Sequence, residues 1–182
     1  MSGSMASPSL ELHVFRSEWA AEVSSWAASS SEVLAWCSGT EVPVPATTIA
    51  AWSDDSDVDA FGLFDSDQLV AYGEVWVDHD EAETELARII VAPGRRDSGM
   101  GRELTRLLAA RARSVHPDVY LRVRRDNEAA VRCYAAAGFV PLGAPDQERF
   151  NIGQPVEYTW MRLDDGGLAP DPAGAVPSRD TP

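Results

Sequence analysis

The stretch Leu86-Ala87-Arg88-Ile89-Ile90-Val91-Ala92-Pro93-Gly94-Arg95-Arg96-Asp97-Ser98-Gly99-Met100-Gly101 decides the fold. An apolar, strand-like run over residues 86–91 closes at Pro93. A turn carrying Arg96, Asp97, Ser98, Gly99, Met100 and Gly101 follows it. The helix predicted next places Leu104, Leu107, Leu108 and Val115 on one face at a 3.6-residue period. Strand, glycine turn and helix start together make a geometry for phosphate. N–H groups at a helix start are unpaired, the helix dipole adds positive potential, and glycine lets the backbone approach an anion.

Two common nucleotide motifs do not fit. A P-loop needs Lys followed by Ser or Thr, and the chain has no lysine: all its fifteen basic side chains are arginine. A dinucleotide fold needs a third glycine and a βαβ unit opening at the turn. Here the third glycine position is Leu104, and the turn lies mid-chain after several strand-like runs.

A second pattern follows the helix: Asn127-x-x-Ala130-x-x-x-Tyr134-x-x-x-Gly138-Phe139. With Val91-x-Pro93-x-x-Arg96-x-x-Gly99-x-Gly101 before it, the segment 83–142 resembles the GNAT superfamily of acyl-CoA-dependent N-acetyltransferases. The resemblance implies a mixed, mostly antiparallel sheet of about seven strands, with about four helices on both faces. It implies acetyl-CoA as co-substrate, held by the loop amides of residues 96–102, with Arg96 and Arg102 adding charge. The backbone of Ile89, Ile90 and Val91 would pair with the pantetheine arm, and an N–H there would polarise the thioester. Asn127 matches the asparagine that orients this arm, although an asparagine opening an Ala-rich helix is equally an N-cap. Asp97 stands where many members have glycine, and an acidic side chain beside a pyrophosphate helps only if it points away.

Acetyl transfer also needs a base, since a free alkylamine has a pKa near that of lysine, about 10.4. Glu85 is the candidate, eleven residues before Arg96, where some members place a glutamate on the fourth strand. Two-residue alternation puts it on the side of Ala87, Ile89 and Val91, and apolar neighbours would raise its pKa. A solvent-facing glutamate in an acidic stretch is the competing reading, and Glu74 and Asp78 are rival bases. Tyr134, at the family's tyrosine position, would protonate the leaving thiolate; otherwise it is a core tyrosine. His13, His79, His116, Cys37 and Cys133 show no metal-ligand spacing, so no metal is expected.

Charge is unevenly spread. Residues 1–85 carry 1 arginine against 17 acids, residues 86–134 carry 11 against 5, and residues 135–182 carry 3 against 7. These give −16, +6 and −4, which sum to the net −14. The positive block holds the phosphate fingerprint, and the acidic balance argues against a nucleic-acid binder. No run is apolar enough for a membrane span, no charged-then-apolar leader opens the chain, and two cysteines make no bridge framework. A cytoplasmic protein is expected, with no nucleic-acid or membrane partner. Homodimers are frequent in the resembled family.

The expected organisation is a disordered start or cloning remnant over 1–9, an acetyltransferase domain over 10–163 and a disordered tail over 164–182. Within the domain the fold class is α/β (α+β). Strands are expected at 10–15, 58–64, 68–77, 85–91, 119–124, 139–142 and 156–163. Helices are expected from Ser17 as N-cap through Trp26, at 31–36, 99–114 and 128–137, with a helical turn at 47–52 and loops at 41–46 and 143–155.

The acceptor expected is a primary amine, most simply a small cationic one, drawn by the acidic front half and by Trp19, Trp26, Trp36 and Trp52. Core packing explains most of these tryptophans as well. A protein or peptide acetyltransferase is the enzyme alternative. Its N-terminus-modifying members often carry glutamate where this chain has Arg122. An acyl-CoA-binding module without turnover is the non-enzyme alternative.

Overall fold

The computed structural model describes residues 10–164 and Gly166. The expected disordered stretches at 1–9 and 164–182 lie outside the described residues, Asp164 and Gly166 excepted. The strands are β1 (Leu10–Val14), β2 (Val58–Asp65), β3 (Gln68–Asp78), β4 (Glu83–Val91), β5 (Asp118–Arg124), β6 (Phe139–Pro141) and β7 (Tyr158–Leu163). The helices are α1 (Ala20–Ser24), α2 (Ser30–Cys37), α3 (Ala46–Ala51), α4 (Met100–Val115), α5 (Glu128–Ala136) and α6 (Ala144–Asn151). The sheet runs β1-β2-β3-β4-β5-β7-β6, and every pairing is antiparallel except β4 with β5. None of the described helices is long and apolar enough to cross a membrane.

Two cores sandwich the sheet. On one face α4 buries Leu104, Leu108 and Ala112, four residues apart, against Val75, Leu86, Val119 and Leu121. Val115 lies on that stripe by spacing but is 44% exposed, at the last residue of the helix. Gly73 on β3 lets α4 approach: a Cβ there would meet Leu108 Cδ1 at 2.7 Å. On the other face, α1 to α3 bury Val23, Trp26, Val33, Trp36 and Ile49 against Tyr72 and Ile90.

A bulge in β4 shapes everything near the site. Glu74 pairs with Ala87 and Tyr72 with Ile90, so Arg88 and Ile89 together oppose Gly73. Arg88 takes φ +46, a left-handed backbone rarely adopted by a side-chain-bearing residue. Its carbonyl accepts the Trp36 indole N–H at 2.7 Å, which holds the bulge to α2. The extra residue changes the alternation. Leu86 faces the α4 core before the bulge; Ile89 and Val91 face it afterwards, while Ile90 packs on the opposite side. Glu85 therefore does not share a face with Ile89 and Val91.

Two local expectations also change. Ser17 is not an N-cap: it begins a 3-10 turn, Ser17–Trp19, that leads into α1 without a side-chain cap bond. The loop expected at 143–155 contains α6, which buries no side chain. Side-chain amides hold α6 instead. Gln147 bonds Leu142 O and both backbone polar groups of Trp160, and Asn151 bonds both of Tyr158.

Candidate active site

β4 and β5 are paired only from Glu83–Asp118 to Leu86–Leu121. Beyond that point the two parallel strands separate, and a cavity of about 780 Å³ opens between them. Ala87, Arg88, Ile89, Ile90 and Val91 line it from β4, with Val123 and Arg124 from β5 and Asn127, Cys133 and Tyr134 from α5. Gly99, Gly101 and Arg102 border it at the start of α4.

The turn before α4 has the form that an anion site needs. The amides of residues 97–102 have no hydrogen-bond partner among the described residues; the next, Glu103 N–H, donates to Gly99 O at 3.1 Å. Gly99 has φ +85 with open space around its missing Cβ, so the backbone conformation requires the glycine there. At Gly101 a Cβ would lie 3.2 Å from Cys133 Sγ. Asp97 has φ +59, which explains why glycine suits this position and why aspartate, tolerant of that region, can replace it.

The arginines of the turn divide their tasks. Arg96 lines the cavity but is not a free cation. Its guanidinium donates to Trp26 O at 2.8 Å, to Val91 O at 3.3 Å and to Glu32 at 2.7 Å. Glu32 also accepts from Ala28 N–H and the Ser29 hydroxyl, and the Arg96 contact leads the causes that lower its pKa. Arg96 is thus a strut tying the turn to α2 and to the segment between α1 and α2. Arg95 is ion-paired to Asp65. Arg102 is exposed on the cavity rim and has no ion pair among the described residues.

Asn127 caps α5, its side chain accepting Ala130 N–H at 3.2 Å, and it lines the cavity too. Tyr134 packs on the α4 core and lines the cavity. Burial pushes its hydroxyl well above the ordinary tyrosine range, so the group keeps its proton. Cys133 is likewise raised by burial, which disfavours the nucleophilic thiolate. Glu85 lies in the same cavity, on the face of Trp76 and Arg122. Burial pushes its carboxyl up to about 7, against the opposing pull of Arg122, whose Nε lies 3.1 Å away.

The profile of the acetyltransferase (GNAT) family matches residues 13–139, well over half of the chain. The chain belongs to the acetyltransferase (GNAT) family. No curated protein sequence matches it. Among solved structures, AAC(6')-Ib in complex with ribostamycin and coenzyme A is 18% identical, with a TM-score of 0.68 over 87% of this chain and 95% of that one. The aminoglycoside acetyltransferase AAC(6')-Ib with coenzyme A and kanamycin is 16% identical, with a TM-score of 0.67 over 87% and 96%. The spermidine N-acetyltransferase from Vibrio cholerae in complex with CoA and spermine is 19% identical, with a TM-score of 0.68 over 87% and 96%. At these identities the likeness is one of fold.

At the far end of the acetyltransferase cavity the wall is made by Trp76, Arg88, Arg122 and Tyr158, and the rival bases lie behind or beyond it. Glu74, a rival base, is fully buried and surrounded by donors: Tyr72 Oη at 2.5 Å, Trp76 Nε1 at 2.6 Å and Arg88 Nη1 at 3.0 Å. A carboxylate so occupied is a clamp for Arg88 rather than a proton acceptor. Asp78, the other rival, is exposed and caps the turn after β3 through Asp80 and Glu81 N–H. Arg88 also stacks on Trp52, 4.1 Å from the ring centroid, and on Trp76 at 5.0 Å. The acidic residues here are therefore not bare, as a simple cation trap would need, but matched to arginines. One sequence signal pointed to Arg88: it is the single charge inside the otherwise apolar run 86–91.

Proposed function

We propose that this acetyltransferase moves an acetyl group from acetyl-CoA to a primary amine of a small molecule, cationic in its resting ammonium form. One observation carries the reading: the cavity between β4 and β5 borders the unpaired amides at the start of α4 and contains Glu85 and Tyr134. The cavity suits an elongated, phosphorylated cofactor. The 97–102 amides with Arg102 would hold the pyrophosphate, and the free edge of β4 at Ile89, Ile90 and Val91 would hold the pantetheine arm, with Asn127 opposite. When bound, acetyl-CoA supplies an acyl group already activated as a thioester.

The chain's own groups handle the protons. Glu85, with its pKa pushed up to about 7, is ionised in a useful fraction at neutral pH and basic enough to take a proton from the amine nitrogen. Tyr134 keeps its hydroxyl proton for the departing sulfur. The small-amine reading also draws on the fold's relatives, whose complexes contain ribostamycin, kanamycin or spermine.

Release of the CoA thiol, followed across a panel of small primary amines and short peptides, tests the reading. Turnover with small amines supports it. Turnover with peptides alone makes the chain a peptide acetyltransferase. Tight acetyl-CoA binding with no turnover for any amine makes it an acyl-CoA-binding module.

A further inference from the structure

We infer that the amine acceptor also carries a carboxylate, received by Arg122 and Arg88 at the end of the cavity beyond the β4 bulge. This rests on the acetyl-transfer reading above and names the substrate class within it. The two guanidinium groups lie against one ring, Trp76, with centroid distances of 5.0 Å for Arg88 and 5.9 Å for Arg122. Arg122 also packs on Tyr158 at 5.3 Å and on Trp160 at 5.4 Å. These ring contacts hold both heads in place before any ligand arrives.

Each is anchored through only part of its donor set. Arg88 uses Nη1 for Glu74; Arg122 uses Nε for Glu85 and Nη1 for Gln154, at 3.0 Å. Nη2 of each has no partner among the described residues. A guanidinium presents five N–H donors in a planar fork and stays charged, so the unused edges select a planar, two-oxygen anion.

Charge balance during turnover points the same way. Glu85 is the only carboxylate ion-paired with Arg122 among the described residues. Once Glu85 has taken the amine proton, Arg122 stands among aromatic rings with no anion beside it. An acceptor that brings its own carboxylate restores the balance at that moment. An acceptor carrying only further cations worsens it.

Matched acceptors decide the matter on the unmodified protein: lysine against cadaverine, ornithine against putrescine, tryptophan against tryptamine. Each pair differs by one carboxylate. We expect the carboxylate-bearing member to have kcat/KM at least about tenfold higher. In Arg122→Gln that preference should shrink to roughly threefold or less through the acceptor's KM, while the KM for acetyl-CoA stays within about twofold. Arg122→Lys, which keeps the charge but loses the fork, should recover part of the preference. Preference for the decarboxylated member overturns the inference and leaves acetyl transfer to small amines standing. Failure to acetylate either member of every pair overturns it too, and calorimetric binding of acetyl-CoA then tells whether the acetyl-transfer reading falls with it.

Discussion

Arg88 donates to both carboxylate oxygens of Glu74, at 3.0 and 3.3 Å, across the bulge that turns β4 out of register with β3. The pair joins a buried anion to the residue whose left-handed backbone forms the bulge. It therefore braces the strand edge on which the cofactor arm is proposed to lie.

Glu74→Gln should destabilise the fold severely. It removes the charge opposite a half-buried guanidinium and disturbs two further donors, Tyr72 Oη and Trp76 Nε1. Breaking a buried pair at one partner costs about 3–5 kcal/mol. Denaturant unfolding of the variant checks the figure; a change under about 1 kcal/mol, in the range of exposed pairs, would show that the brace carries little.

Glu85 sets a pH dependence in two readouts. In turnover, kcat should fall as pH drops through about 7, because the proposed base becomes protonated. Glu85→Gln should lose that limb and lower kcat by roughly 10²–10⁴. In stability, the folded chain holds a proton between about 4.5 and 7 that the unfolded chain has released. The associated stabilisation is complete below 4.5 and lost as pH rises through 7. From pH 5 to 8, Glu85→Gln should thus gain on the parent protein by up to about 3 kcal/mol. A gap that does not move with pH would place Glu85 in solvent.

Two of the turn's arginines should separate by salt. Arg102, on the rim, has no ion pair among the described residues, whereas Arg96 is neutralised by Glu32. Arg102→Gln should weaken acetyl-CoA binding and flatten its dependence on ionic strength. Arg96→Gln should weaken binding by loosening the turn while leaving that dependence unchanged. Equal slopes in both variants would contradict the division.

Asp97→Gly should tighten acetyl-CoA binding several-fold. It removes a negative charge beside the pyrophosphate site and a left-handed φ of 59° from a side-chain-bearing residue. Weaker binding in the variant would show that Asp97 has its own role in the turn.

Much of this was legible in the sequence because the cofactor motifs are local. The strand, the turn and α4 lie within 33 consecutive positions, from Glu83 to Val115, and backbone geometry there follows from Gly99, Gly101 and the apolar spacing. What was hidden depends on distance or on exceptions to periodicity. Arg96 meets Trp26 and Glu32 across 70 and 64 positions, so nothing local marks it as a strut. The bulge at Arg88 breaks strict alternation and moved Glu85 off the face expected for it. Helix α6 has no apolar stripe, and only Pro145 near its start, Asp146 in its first turn and Arg149 in its last betray it.

A calorimetric titration of acetyl-CoA into the protein, with Gly99→Glu alongside, tests the central claim most directly. Open space surrounds the missing Cβ of Gly99, but its φ of +85 strains any side-chain-bearing residue, so the variant disables the turn by a carboxylate at the anion site and by backbone conformation together. The account predicts one-site binding by the parent chain and its loss in Gly99→Glu, with the fold retained by circular dichroism. Absence of binding by the parent chain, or equal binding by both, would contradict it.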